Sequence, residues 1–159
     1  MSPDDAASLF AELALGLAGF AGVGAAFVGR SREFLPMERT RLISVVWLSS
    51  SVLAGALVFV SVSFVSASDS LRAAASISMI ATLGLLLVIV PPLARARRES
   101  NSQTESWVFP VSVALGIFGC FLYGLITLTN ASFGLLSLTF TLQLFHALWL
   151  FVRLLTRAN

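Results

Sequence analysis

The chain of 159 residues has no Lys; all ten of its basic residues are Arg. Schiff-base chemistry with retinal or pyridoxal phosphate is thereby excluded, because both need an amine nucleophile. There is one His and one Cys. A metal site needs several Cys, His, Asp or Glu ligands converging within a few ångströms, so one subunit has no means of building one, and neither metal nor cofactor is expected. His146 beside Ala147 leaves room for a flat haem-type ring, yet a single imidazole does not define such a site. His146 is also the only conventional base. Ser137 lies too far along the same helix to serve as its nucleophile, and no nucleophile elbow or phosphate-cradling loop occurs, so no enzyme activity is expected. Cys120 forms no internal disulfide and reads as a small apolar packing residue.

Charge is scarce as well. Only 11% of residues are charged and the formal net charge is +2. The Arg residues are spread over short segments rather than gathered on one surface, which argues against a nucleic-acid partner.

What fills the chain instead is apolar: 57% of residues are hydrophobic and the mean hydropathy is +0.93. Five runs, Leu9 to Val28, Leu42 to Val65, Ala73 to Leu93, Trp107 to Leu128 and Phe133 to Leu155, each approach the roughly 20 helical residues that a bilayer core of about 30 Å demands. They lack the period-two alternation of barrel strands, and in hydrocarbon a helix satisfies its own amides. The expected fold is therefore all-α: a polytopic integral membrane protein of five transmembrane helices forming one membrane domain over residues 1–159.

Counted along the connections, Arg residues number 0, 4, 1, 3, 0 and 2. The positive-inside rule then puts the N-terminus outside and the C-terminus in the cytoplasm. Trp47, Trp107 and Trp149 all fall toward the same cytoplasmic interface, where indoles favour the headgroup level. A cleaved signal peptide is disfavoured for the first run, since its flank carries Asp4 and Asp5 instead of positive charge. Small size and short loops suggest a bacterial inner (cytoplasmic) membrane.

Punctuation marks the helix ends. Pro36 starts the second helix with Glu38, Arg39 and Arg41 exposed. Asp69 or Ser70 caps the third, and Pro91 and Pro92 bend or end it. Ser102 and Glu105 have capping-box spacing for the fourth.

Intramembrane polar residues normally face other helices or a water-filled path, so their spacing predicts which faces are buried. On the fifth helix Ser132, Leu136, Thr139, Gln143, His146, Leu150, Arg153 and Arg157 follow steps of four and three, the seam of left-handed packing. Phe133, Leu138, Phe140, Phe145 and Leu148 fall outside that seam and suit lipid or apolar contact. The first helix has a small-residue zipper, Ala14, Ala18, Gly22 and Ala26, beside a face with Ser8, Glu12, Gly16 and Gly19. The fourth offers Ser112, Gly116, Gly119 and Tyr123. The second offers Ser44, Ser51 and Gly55 on one side and Ser50, Ala54 and Ser61 on another, and the third Ala75, Ser78 and Thr82. Counting depth from the ends of the runs, Glu12 is about 5 Å and His146 about 20 Å below the outer surface.

These features lead to two expectations. The first is a homo-oligomer in the lipid bilayer forming a small ion or solute channel, lined by Thr139, Gln143 and His146 with Glu12 at its outer mouth. The second is a non-transporting accessory or scaffold subunit that binds another membrane protein through its small-residue faces.

Overall fold

A computed structural model describes residues 2–31, 36–99, 118–119, 121–122 and 124–156. The fold is all-α with five helices: α1 (Pro3–Ser31), α2 (Pro36–Ser63), α3 (Ala67–Glu99), α4, described at 118–119, 121–122 and 124–130, and α5 (Phe133–Thr156). Four of them contain stretches long and apolar enough to cross a membrane, namely Pro3–Ala26, Glu38–Ser63, Ala67–Val88 and Phe133–Thr156. Four such helices in one bundle suggest a membrane protein. Trp107, Ser112, Gly116, Cys120, Tyr123, Arg157 and the Ser102 to Glu105 cap lie outside the described residues.

The helices overrun the apolar runs at their polar ends, and local capping explains why. The Ser2 amide donates to Asp5 Oδ2 at 2.9 Å while the Asp5 amide donates to Ser2 Oγ at 3.1 Å, a reciprocal cap that starts α1 two turns ahead of Leu9. The cap of α3 is Ser66, whose hydroxyl receives the Asp69 amide at 3.4 Å. This corrects the choice of Asp69 or Ser70, which sit inside the first turn. Pro91 and Pro92 do not end α3, which continues to Glu99. The carbonyls of Leu87 and Val88, left without donors by the two prolines, belong to exposed residues near the polar end of the helix. Between α4 and α5 the chain turns at Ala131, whose φ of 44° lies in the left-handed region and whose amide donates to the Thr127 carbonyl at 2.8 Å. That is the single-bond form of a left-handed helix cap.

α2 is the central helix and touches α1, α3 and α5, while α1 and α5 also meet. Half of the most apolar stretch of α2 is buried, against 11% for α1, so α1 is the peripheral member. The apolar core comes in two parts. One joins Ala7 and Ala14 of α1 to Val52, Ala56 and Phe59, Leu71 and Ala74, and Leu136 and Phe140. The other joins Ala21 to Val45 and Leu48, Leu85, and Ala147 and Leu150.

Small residues set the close approaches. A Cβ at Gly55 would meet the Phe140 ring at 2.9 Å, one at Gly124 would meet Met79 Cγ at 2.6 Å, and one at Gly84 would meet the Trp47 ring at 2.8 Å. Of Glu38, Arg39 and Arg41 near the start of α2, only Arg39 is exposed. Glu38 and Arg41, expected in solvent, are buried and each is engaged by a neighbouring group.

Candidate functional site

The polar centre of the bundle is Gln143, which is completely buried on α5. Its side chain separates Phe140 of one apolar cluster from Ala147 of the other. Its Nε2 donates to Thr82 Oγ1 on α3 at 3.4 Å, and its Oε1 accepts from Ser51 Oγ on α2 at 3.2 Å. The Thr82 hydroxyl in turn donates to the Ser78 carbonyl at 2.7 Å, and the single Ser51 proton is shared between Gln143 and the nearer Leu48 carbonyl at 2.8 Å. One amide thus ties three helices, and it lies about 15 Å along α5 from Phe133, half the thickness of a bilayer core.

The other seam residues divide. Leu136, Thr139 and Leu150 are buried with Gln143, and the Thr139 hydroxyl donates to the Leu135 carbonyl at 3.0 Å. His146 is half-buried on the flank of that face and makes no hydrogen bond with another described residue. Arg153 lies with its guanidinium 5.0 Å from the centre of the Trp149 ring, a cation–π contact. Phe140, placed outside the seam by the sequence pattern, is a core residue that packs edge-on against Phe10 with centroids 5.5 Å apart. Phe133 likewise packs against Phe59, with centroids at 5.2 Å. The inward face is Leu136, Thr139, Phe140, Gln143, Ala147, Leu150 and Leu154, so both Thr139 and Phe140 point inward before Gln143, and after it the buried position is Ala147 where the sequence pattern placed His146.

On α1 the packed stripe is Ala7, Ala14 and Ala21, with Ala18 half-buried beside it. Gly22 and Ala26 are exposed, and a Cβ added at Gly16, Gly19 or Gly22 would meet nothing within 4 Å. Glu12 is exposed on the same open side. Gly119 of α4 is half-buried, and a Cβ there would reach Leu142 of α5 at 3.6 Å.

The contact between Phe10 and Phe140 fixes the level of Glu12. Phe140 is seven residues, or about 10 Å, along α5 from Phe133, and Glu12 is two residues beyond Phe10 on α1, so Glu12 is about 13 Å along the bundle from the Phe133 level. The Ser2 cap starts α1 ahead of the apolar run, so a count made from Leu9 gives a smaller value. Glu12 and His146 therefore differ in level by about 6 Å, not about 15 Å, yet no ion pair joins them.

On α2 the two small-residue stripes behave differently. Ser44, Ser51 and Gly55 are buried, as are Ala75, Ser78 and Thr82 of α3. Ser50 and Ala54 instead line an open groove of about 800 Å³ between α2 and α3, with Ile43, Val46, Ile77 and Ile80 in its apolar walls. Trp47 is at its side and its indole Nε1 donates to the Ala81 carbonyl at 2.7 Å. That bond explains how an indole sits about 6 Å from the Ser51 level, deeper than the headgroup position its sequence suggested.

Among the described residues no group of three His, Cys, Asp or Glu side chains converges. No family model matches the chain, and no curated protein or solved structure matches it. The sites that sequence reasoning passed over are Phe140 and Gly124. Phe140 was hidden by its apolar character and Gly124 by lying off the step pattern of Gly116 and Gly119.

Proposed function

We propose that the protein is a non-catalytic subunit of a bacterial inner membrane, with five crossings, its N-terminus outside and its C-terminus cytoplasmic, that works by lateral association through α1. The observation that carries this reading is Glu12: an acidic side chain about 13 Å deep on the open face of a membrane-length helix, beside Gly16, Gly19 and Gly22. A charged residue at that depth costs about 3 kcal/mol on insertion scales, a penalty that a donor on an apposed helix offsets. Glycines one turn away let that helix approach closely. The occupant in this reading is a helix of another membrane protein that presents a basic or amide side chain to Glu12.

A homo-oligomeric channel is the second reading. Its support is the same Glu12, which a symmetric assembly would repeat around an axis as a cation-attracting ring. Thr139 and Gln143 are buried within the subunit, so α1 rather than α5 would line such a path.

The mass of the protein solubilised from its native membrane separates the two. A single copy with a different membrane protein, lost on Glu12→Gln or Gly19→Leu, is the expected result. A closed assembly of identical copies whose liposomes conduct cations, with flux reduced tenfold or more by Glu12→Gln, establishes the channel. A monomer without a partner, unchanged by either substitution, overturns both.

A further inference from the structure

The groove between α2 and α3 has a charged end. On α2, Arg39, Ile43, Val46, Ser50 and Ala54 succeed one another at steps of four, three, four and four, so the exposed Arg39 is on the face that lines the groove. Arg39 makes no ion pair with another described residue. The lining of α2 extends from Leu42 to Ala54, about 18 Å of helix, close to the depth of one bilayer leaflet. Ser51, which holds Gln143 at the bilayer centre, is twelve residues from Arg39, so the guanidinium belongs to a level about 18 Å from that centre, where phosphates lie. The wall is apolar, apart from Ser50 and Ser51, and the Trp47 indole has no free donor to offer, since Ala81 holds it.

We propose that this groove binds one anionic phospholipid, with an acyl chain between α2 and α3 and the phosphate on Arg39. A groove one leaflet deep, open to the hydrocarbon and followed at its polar end, on the same face of α2, by a cation with no ion pair among the described residues, matches that molecule in length, polarity and sign of charge. The inference rests on the membrane reading above and is independent of whether α1 binds a partner.

Trp47 supplies the readout. In full-length protein carrying Trp107→Phe and Trp149→Phe, reconstituted in bilayers, phosphatidylglycerol and phosphatidylcholine brominated on their acyl chains compete for quenching of Trp47. The expected preference for the anionic lipid is about fivefold, the roughly 1 kcal/mol per basic side chain found at anionic surfaces. Arg39→Gln brings it within twofold of unity, and Ala54→Phe or Ser50→Leu, which fill the groove, reduce quenching by both lipids. Equal quenching by the two lipids in the unsubstituted groove overturns the headgroup site while leaving the membrane reading intact. No quenching by either lipid overturns both. Displacement of the anionic lipid by millimolar inorganic phosphate identifies a free-anion site and also overturns the proposal.

Discussion

At the scale of single residues, Gln143 joins three helices, yet its hydrogen bonds are expected to add little to stability. Its hydrogen-bond partners, Ser51 and Thr82, retain shorter bonds to Leu48 and Ser78 carbonyls, so removing the amide strands neither hydroxyl. Gln143→Leu, which keeps the volume, is expected to cost about 0.6 kcal/mol and no more than about 1.7, as interhelical hydrogen bonds in membranes generally do. Gln143→Ala leaves a cavity as well and is expected to cost 2 kcal/mol or more. Unfolding of the two variants in mixed micelles measures the difference, and equal losses would mean that the hydrogen bonds, not the packing, dominate. The inward orientation of Gln143 and Thr139 was legible in the sequence because polar side chains in an apolar helix have few tolerable directions. That of Phe140 was not, since a phenyl ring suits lipid and core alike and only the gap opened by Gly55 and the edge of Phe10 assigns it.

At the scale of helices, the positions of α1, α2, α3 and α5 followed from apolar runs, whereas their lengths and ends depended on residues that lie outside those runs. Ser2 with Asp5 and Ser66 with Asp69 lengthen α1 and α3 at their starts. Small residues marked which helices approach closely but not which of two adjacent stripes does so, because Gly and Ala suit either a packed or an open face. Gly55 and Gly22 make the contrast testable. Gly55→Leu drives carbon into the buried Phe140 ring and is expected to destabilise the bundle by about 1–3 kcal/mol. A Cβ added at Gly22 meets nothing within 4 Å, and the residue is exposed, so Gly22→Leu has open space to enter. It is expected to change the stability of the subunit by less than about 0.5 kcal/mol while weakening association through α1. Thermal unfolding read beside cross-linking yield checks both, and a Gly22 variant that unfolds early would show that this face is packed in the subunit itself.

At the scale of the whole molecule, the orientation rests on the distribution of Arg and the number of crossings on α4. Cysteine labelling in a Cys120→Ala background decides both. Ser68→Cys is expected to react with an impermeant reagent added outside intact cells, and Asn159→Cys only after permeabilisation. Reaction of both from outside would mean four crossings, with α4 not spanning. Reaction of Ser68→Cys only from the cytoplasm would invert the topology. The division of the core into two greasy halves by one buried polar layer has a mechanical corollary. Vertical slippage of α5 by a single turn would carry the carboxamide about 5 Å away from both hydroxyls and into the neighbouring cluster. The layer is therefore expected to act as a keyway that opposes sliding of α5 more than rocking about it, so that movement of this helix is a pivot rather than a piston stroke.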